Sequence, residues 1–273
     1  MLWSDYLARF HRERAGITEL VLSRCVDRDG ATPYDWLAEL AGPTAQPAGP
    51  PAAGEPGDAT PVLDLACGSA PLWPRLAGRT YLAGRSYLGV DRSAAELSLA
   101  AGRGAAPLVR ADAAALPVAD RTIRLVVCAM ALMITQPLPR VLAEIGRVLR
   151  ADGRLVAIVP ASRPLTVRDV AVVAGLAASA GRLSYPNDAA LADPAGQFRA
   201  AGLRLVGDQA RRFAYPLTTP ADADALLASL YLPGVRPRRV RAARGYLRAL
   251  ARVHATVPVP IRRLDARADR PPA

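Results

Sequence analysis

Short apolar runs alternate with helical patterns between residues 61 and 160. Five runs have the length of strands and are bounded by turn residues: 62–66, 87–91, 107–111, 123–129 and 154–160. Helical periodicity fills 92–102 and 137–149, and the Ala151-Asp-Gly153 sequence predicts the end of the second of these helices. Strands that alternate with helices of this length predict βαβ units and a parallel sheet.

The flanking sequence is mainly helical in pattern. Residues 2–24 predict an amphipathic helix and 34–40 a short second one, which together form an N-terminal helical arm or lid over 1–40. Residues 41–60 are mostly Ala, Gly and Pro, and proline cannot donate a backbone hydrogen bond, so this stretch is expected to be a linker. Beyond residue 160 the pattern predicts helices at 167–180, 188–201, 220–230 and 237–255, a long strand at 203–215 and a final edge strand at 260–266.

Length bounds the domain organisation. A chain of 273 residues corresponds to one large domain, or to one domain with a substantial appendage. The predicted elements divide it into a core over 61–218, a helical insertion over 219–256, and a final strand with a tail over 257–273.

Composition excludes several chemistries. The chain contains no lysine, which removes the phosphate-binding lysine of a P-loop and the Schiff-base lysine of a pyridoxal enzyme. Only two histidines, His11 and His254, are present, so a multi-histidine metal site is also excluded and no metal is predicted. The formal charge of +11 is carried by arginine alone, as expected of a GC-rich genome, and is a weak functional signal.

The spacing of the cysteines and the lack of long apolar stretches indicate in which cellular compartment the protein is expected. Cys25, Cys67 and Cys128 are widely spaced and odd in number, so they predict no disulfide framework. No apolar stretch approaches the roughly 20 residues of a membrane span, and the first residues lack the apolar core of a signal peptide. A cytoplasmic protein without a membrane partner is expected.

Small and acidic residues follow three successive predicted strands. Ala66, Gly68 and Ala70 follow the first strand and allow a ligand to approach the backbone closely. Asp91 ends the second strand, where it can accept hydrogen bonds from a ribose, and Asp112 follows the third, where it can accept from an exocyclic amine. Each feature alone is also typical of a tight turn or a helix cap, and Asp112 alone is more often a turn residue than a ligand-binding one. The ordered set points to a ligand site beyond the carboxyl ends of the strands.

The same segments resemble a known family over roughly residues 60–160. The resemblance rests on four motifs: Val62-Leu-Asp-Leu-Ala-Cys-Gly-Ser-Ala70, Leu88-Gly-Val-Asp-Arg-Ser93, Arg110-Ala-Asp-Ala113 followed by Leu116-Pro117 and Asp120, and Arg147-Val-Leu-Arg-Ala-Asp-Gly-Arg-Leu155. They are similar to those of class I S-adenosylmethionine-dependent methyltransferases of the small-molecule type, which are related to quinone-biosynthesis C-methyltransferases. The family implies a Rossmann-like doubly wound α/β fold, with a seven-stranded sheet whose last strand is antiparallel. It also implies S-adenosylmethionine as cofactor and S-adenosylhomocysteine as product.

The resemblance assigns cofactor-binding roles position by position. Asp64 orients the ammonium group, the turn after the first strand lines the methionine moiety, Asp91 binds the ribose, and Asp112 binds the adenine. The complete implied set is Asp64, Ala66, Cys67, Gly68, Asp91, Arg92, Asp112, Ala113, Cys128, Ala129 and Met130. The family usually has glycine where this chain has Ala70, and this substitution is expected to weaken binding.

The sequence offers fewer candidate residues for binding the methyl acceptor and removing its proton. The segment Met130-Ala-Leu-Met133 is apolar and offers no general base, which leaves His11 on the N-terminal arm as the candidate catalytic base, ahead of His254. A lone histidine on an amphipathic helix is more often a surface or cap residue. Four aromatic residues are candidates for an acceptor pocket, although such residues are usually core: Tyr6, Trp36, Tyr185 and Tyr231.

The resemblance implies methyl transfer by in-line displacement onto a small-molecule, biosynthetic acceptor. An RNA methyltransferase that uses the arginine-rich surface is an alternative, but no RNA-binding module or aromatic-interleaved basic stripe supports a nucleic-acid partner. A nicotinamide-dependent oxidoreductase needs a G-x-G-x-x-G turn, which the residues after Gly68 do not supply. A non-catalytic protein that keeps the cofactor pocket also remains open. The sequence does not indicate the atom methylated or the oligomeric state.

Overall fold

The computed structural model of the chain describes residues 2–41, 62–77 and 87–269. The predicted linker over 41–60 therefore lies outside the described residues, apart from Ala41, which is the last residue of a helix.

One seven-stranded sheet organises the described part of the chain. Its strands are β1 (Val62–Leu65), β2 (Tyr87–Asp91), β3 (Leu108–Arg110), β4 (Ile123–Ala129), β5 (Leu149–Pro160), β6 (Leu203–Pro216) and β7 (Thr256–Ala268). Their order across the sheet is β3-β2-β1-β4-β5-β7-β6. β1 to β5 pair in parallel, whereas β7 is antiparallel to both of its neighbours. The predicted Rossmann-like fold class with an antiparallel last strand is confirmed.

Two strand predictions are wrong in detail. β7 is not an edge strand, because β6 pairs with it from Leu203 to Pro216 and occupies the edge itself. β5 begins at Leu149, directly after a helix, so the expected turn at 151–153 lies inside the strand. Leu149 pairs with Ile123 of β4, and this pairing continues the sheet beyond the predicted start at residue 154.

Helices flank the sheet and connect its strands. They are α1 (Trp3–Glu13), α2 (Ile17–Leu22), α3 (Pro33–Ala41), α4 (Trp73–Ala77), α5 (Ala94–Gly102), α6 (Leu138–Val148), α7 (Val167–Ala180), α8 (Asp188–Ala192), α9 (Pro194–Ala200), α10 (Pro220–Ser229) and α11 (Pro237–Arg252). The single helix predicted over 2–24 is wrong, because Gly16 adopts a φ of 76° and separates α1 from α2. The helix predicted over 188–201 is also two helices, since Pro194 starts α9 and has no N–H with which to continue α8.

Alternate residues of the buried strands face two separate cores. Leu63 and Val126 belong to the core that α1, α6 and α9 cover, whereas Val62 and Val127 belong to the core that α2, α3, α10 and α11 cover. The N-terminal helices therefore contribute to both faces of the sheet. This arrangement places α1 beside the carboxyl ends of the central strands.

The packing of α6 depends on a glycine. A Cβ atom on Gly146 would lie 2.2 Å from the carbonyl oxygen of Ala201, which follows α9. We expect Gly146→Ala to lower the free energy of unfolding by about 1–3 kcal/mol, because backbone would have to move. Gly245 in α11 is the matched control: a Cβ there meets no heavy atom within 4 Å, so Gly245→Ala should stabilise the protein by up to about 1 kcal/mol through helix propensity. Urea denaturation measures both, and a Gly146→Ala protein as stable as the wild type would contradict the close approach.

Candidate active site

A cavity of about 370 Å³ lies at the carboxyl ends of the central strands. The turn after β1 and the ends of β2 and β4 form one part of its lining. The other part comes from α1 and from Tyr231, which lies between α10 and α11. The chain passes from β1 out to β3 and then back to β4, so the cavity lies where the winding direction switches, the usual place for a ligand in an open parallel sheet.

All but two of the predicted site residues line this cavity. Those that do are His11, Ala66, Cys67, Gly68, Asp91, Arg92, Asp112, Ala113, Ala129 and Met130. Asp64 and Cys128 are almost fully buried beneath the lining. Ala70 is also buried outside the lining, with a φ of 57°, so its methyl group does not reduce the space in the cavity.

Asp91 organises the turn after β1. Its Oδ2 accepts the N–H of Gly68 at 2.8 Å, and its Oδ1 accepts the N–H of Ser93 at 2.8 Å. Burial raises the pKa of Asp91, and the two amide donors oppose that rise. Each carboxylate oxygen has a second lone pair, so Asp91 keeps acceptor capacity toward the cavity.

Asp64 is a carboxyl group in an apolar environment. It is 1% exposed, and the hydroxyl of Tyr87 donates to its Oδ2 at 2.7 Å. Burial raises the pKa of Asp64 to about 7, because this one hydrogen bond only partly compensates the lost hydration. The group therefore changes its charge near neutral pH, directly below the turn that lines the cavity.

Asp112 lines the cavity and also accepts a hydrogen bond within its own turn. Its Oδ1 accepts the N–H of Ala114 at 2.9 Å, which closes a short turn after β3. This hydrogen bond fits the turn interpretation from the sequence, and the ligand interpretation stays a prediction. Arg92 lies next to this region and is exposed, and its carbonyl oxygen accepts from Arg110.

His11 is held between two side chains of the cavity wall. Its Nδ1 lies 2.9 Å from Oε1 of Glu96, and its Nε2 lies 3.1 Å from the hydroxyl oxygen of Tyr231. The other oxygen of the buried Glu96 accepts the N–H of Gly16 at 3.0 Å. Because a carboxylate only accepts, this geometry assigns a proton to Nδ1 and leaves Nε2 to accept from Tyr231. Both ring nitrogens thus have protein partners.

Glu96 was missed in the sequence, although a local signal exists. Ser93 and Glu96 have the spacing of a helix capping box, and the Ser93 hydroxyl accepts the N–H of Glu96 at 3.4 Å. In place of the reciprocal bond, the Glu96 side chain reaches α1 and Gly16. Only the tertiary fold brings these distant segments together.

The four aromatic candidates separate into two places. Tyr231 lines the cavity, and Tyr6 and Tyr185 pack edge-on against its ring at centroid distances of 6.4 and 6.3 Å. For Trp36 the core interpretation is confirmed and the pocket candidate is wrong: it lies in the core of the opposite face, where the guanidinium groups of Arg211 and Arg263 lie over its ring. His254 is exposed and does not line the cavity.

Two buried hydroxyls in the cavity wall are unsatisfied. Thr18 Oγ1 and Thr135 Oγ1 have no hydrogen-bond partner in the described part of the chain, and both residues belong to the lining. Buried polar atoms are rarely left unpaired in folded proteins. A ligand with polar groups at these positions would satisfy them.

The comparison with protein families identifies the segment that builds β1 to β5. A family model described as "Methyltransferase domain" matches residues 63–157. Together with the strand order, this match indicates a methyltransferase domain over the segment 63–157. No curated protein sequence matches the chain.

Solved structures share the fold at low sequence identity. A phosphoethanolamine N-methyltransferase 2 from Haemonchus contortus, in complex with phosphomonomethylethanolamine and S-adenosylhomocysteine, is 14% identical, with a TM-score of 0.54, and the alignment covers 99% of this chain and 61% of that one. The YcgJ protein from Bacillus subtilis is 16% identical, with a TM-score of 0.50 and coverage of 78% and 93%. The MccD protein is 14% identical, with a TM-score of 0.50 and coverage of 89% and 99%. At these identities the likeness concerns the fold.

None of the helices in residues 2–41, 62–77 and 87–269 is both long and apolar enough to cross a membrane.

Proposed function

We propose that the protein methylates a small molecule that carries an ionisable hydroxyl group. The observation that carries this proposal is the composite wall of the cavity. Leu7 and His11 come from α1 and Tyr231 from the connection between α10 and α11, and they share the cavity with Met130, which follows β4. The acceptor is thus enclosed between the sheet and the added helices, as suits a small molecule. In this proposal residues 1–40 act as a lid, and the 219–256 insertion caps the substrate around the 61–218 core.

The cofactor occupies the strand ends in this proposal. Asp91 accepts from the ribose hydroxyls with its remaining lone pairs, and Asp112 accepts from the adenine amine. The turn Ala66-Cys67-Gly68 holds the methionine moiety, because Gly68 has no Cβ and leaves its backbone accessible. Asp64 lies beneath this turn and acts on the ammonium group through water or through its charge.

In this proposal the protein itself positions the acceptor and removes its proton. S-adenosylmethionine supplies an electrophilic methyl group when it is bound. The apolar side chains of Leu7, Met130 and Ile134 exclude water from the acceptor side of the cavity. The acceptor must lie in line with the methyl group for displacement, and an enclosed cavity restricts it to such orientations.

His11 acts on the acceptor through Tyr231 in this proposal. Since Nδ1 is engaged with Glu96 and Nε2 with Tyr231, the imidazole has no nitrogen free for a direct contact. The acceptor proton passes to the Tyr231 oxygen while the Tyr231 proton passes to His11 Nε2. Glu96 then stabilises the imidazolium that forms. Burial raises the pKa of Tyr231, which favours this paired movement over a free tyrosinate.

Methyl transfer to phenols tests the acceptor class and the proton path together. Phenol and 4-nitrophenol are similar in size, but 4-nitrophenol is already ionised at mildly alkaline pH. We expect Tyr231→Phe to lower the rate of S-adenosylhomocysteine formation about 100-fold or more with phenol, and only a few-fold with 4-nitrophenol.

The affinity for S-adenosylmethionine should stay close to that of the wild type in Tyr231→Phe, which separates a proton-transfer defect from a damaged cavity. Calorimetric titration measures this affinity. Equal losses with both phenols would show that Tyr231 only positions the acceptor. A wild-type protein that binds the cofactor but methylates neither phenol would contradict the proposed acceptor class.

A further inference from the structure

A solvent-exposed aliphatic surface lies on the side of the molecule that α7 and α11 cover. On α7, Val167, Val170 and Val173 are 91%, 56% and 38% exposed. After Arg168, the outward-facing positions of this helix carry no charged side chain, since Asp169 is buried in an ion pair with Arg212. Only Asp169 and Ala180 of α7 are buried. An apolar helix that buries so little of itself is unusual in a water-soluble fold.

The aliphatic surface continues onto the neighbouring helix. The Tyr246 hydroxyl donates to the carbonyl of Val172 at 3.2 Å, and Arg239 donates to the carbonyl of Ala178 at 3.4 Å, so α7 and α11 pack side by side in antiparallel directions. Helical spacing then places Ala249 and Val253 of the α11 segment on the outer side next to α7. We call the exposed set Val167, Val170, Val173, Ala174, Ala249 and Val253 the valine patch.

Arginines border the valine patch. Arg238, Arg241 and Arg252 are exposed on the outer side of α11, and none of them forms an ion pair within the described ranges of the chain. The acidic partner on this side, Asp224, pairs instead with Arg244 and Arg248, which face α10. An apolar strip with a border of unpaired positive charge is the pattern of a segment that lies in a membrane interface.

We propose that this face docks on an anionic lipid surface. The valines enter the boundary between headgroups and acyl chains, and the arginines contact the phosphates. A second copy of the chain would bring the same unpaired arginines together across the contact, which like-charge repulsion disfavours. RNA would meet aliphatic side chains at the centre of the patch, with no aromatic ring on which a base can stack.

Sedimentation of the full chain with lipid vesicles tests the proposal. Vesicles of phosphatidylcholine alone are compared with vesicles of phosphatidylcholine and phosphatidylglycerol in equal parts. We expect at least about tenfold stronger binding to the anionic vesicles, reduced at about 0.5 M salt because screening weakens the arginine contacts. Binding that does not distinguish the two compositions would overturn the proposal.

Two sets of variants separate charge from apolar insertion. The triple variant Arg238→Gln, Arg241→Gln, Arg252→Gln should bind anionic vesicles about 100-fold more weakly. Its matched control, Arg9→Gln, Arg121→Gln, Arg199→Gln, removes the same charge from exposed arginines elsewhere that also form no ion pair within the described part of the chain, and it should lose less than about threefold. The double variant Val167→Ser, Val170→Ser keeps the charge and should lose about tenfold or more.

Three outcomes would overturn the docking surface. The first is a triple variant that binds vesicles no more weakly than its control. The second is a valine variant that binds as well as the wild type. The third is a protein that does not bind vesicles but binds single-stranded RNA, or self-associates in light scattering, through the same residues. The test does not depend on the acceptor, and unchanged cofactor affinity in each variant confirms an intact core.

Discussion

Asp91→Ala is expected to weaken S-adenosylmethionine binding by about 100-fold or more. In the proposed complex the carboxylate accepts two ribose hydroxyls, and hydrogen bonds to a charged group contribute about 1.5–3 kcal/mol each. The substitution also removes the acceptor for the N–H groups of Gly68 and Ser93, so the turn after β1 loses its anchor. Isothermal titration with S-adenosylmethionine and S-adenosylhomocysteine measures both affinities.

The double role of Asp91 requires a control for folding. Asp91→Asn retains one carbonyl oxygen as acceptor, so it should keep more of the turn while losing part of the ribose interaction. Its affinity is expected to fall between that of the wild type and that of Asp91→Ala. Thermal unfolding of each variant separates a lost ligand contact from a lost fold. A folded Asp91→Ala protein that binds as tightly as the wild type would remove Asp91 from the proposed site.

The free energy of unfolding is expected to fall as pH rises from about 4 to about 7, because of Asp64. Its pKa is about 7 in the folded protein and about 3.9 in an unfolded chain. Between these values the unfolded state releases the proton while the folded state retains it, so rising pH favours unfolding. Above the folded pKa both states are ionised and the effect becomes constant. The loss between pH 5 and pH 8 is on the order of 2–3 kcal/mol.

Asp64→Asn isolates this contribution. The amide oxygen still accepts from the Tyr87 hydroxyl, but the group no longer titrates. The unfolding free energies of wild type and variant are measured in urea from pH 5 to pH 8. In their difference, the contributions of all other titrating groups cancel. We expect that difference to change with pH in favour of the variant. A difference that stays flat would show that Asp64 is ionised throughout the range.

The strand ends could be predicted from the sequence because local signals there agree with one another. Each of the first three strands is a short apolar run that ends in, or is followed by, small or acidic residues. Parallel pairing then brings Gly68, Asp91 and Asp112 to one edge of the sheet without further information. Cys128 shows the limit of this reasoning, because a neighbour in sequence can face the core rather than the cavity.

Other features depend on tertiary contacts that no local pattern encodes. The break at Gly16 looks like one residue in a continuous amphipathic stretch, yet its φ of 76° turns α2 to the opposite core. Trp36 is a large aromatic residue of the kind that often lines pockets. It lies in the core of the opposite face instead, where the guanidinium groups of Arg211 and Arg263, which are distant in sequence, lie over its ring. The partners of His11 come from two segments that are far apart in the chain, so its environment could only be seen in the folded protein.

Because the chain has no lysine, tryptic cleavage within α1, the helix over the cavity, can occur only at arginines. Trypsin cleaves after lysine and arginine, so every tryptic site in this protein is an arginine, and two exposed ones, Arg9 and Arg12, lie within α1. Peptide bonds inside a helix become substrates for a protease only when the segment opens locally. Early cleavage at these two arginines therefore reports how often α1 leaves the cavity. A ligand that binds beneath it would slow that cleavage in proportion to its occupancy.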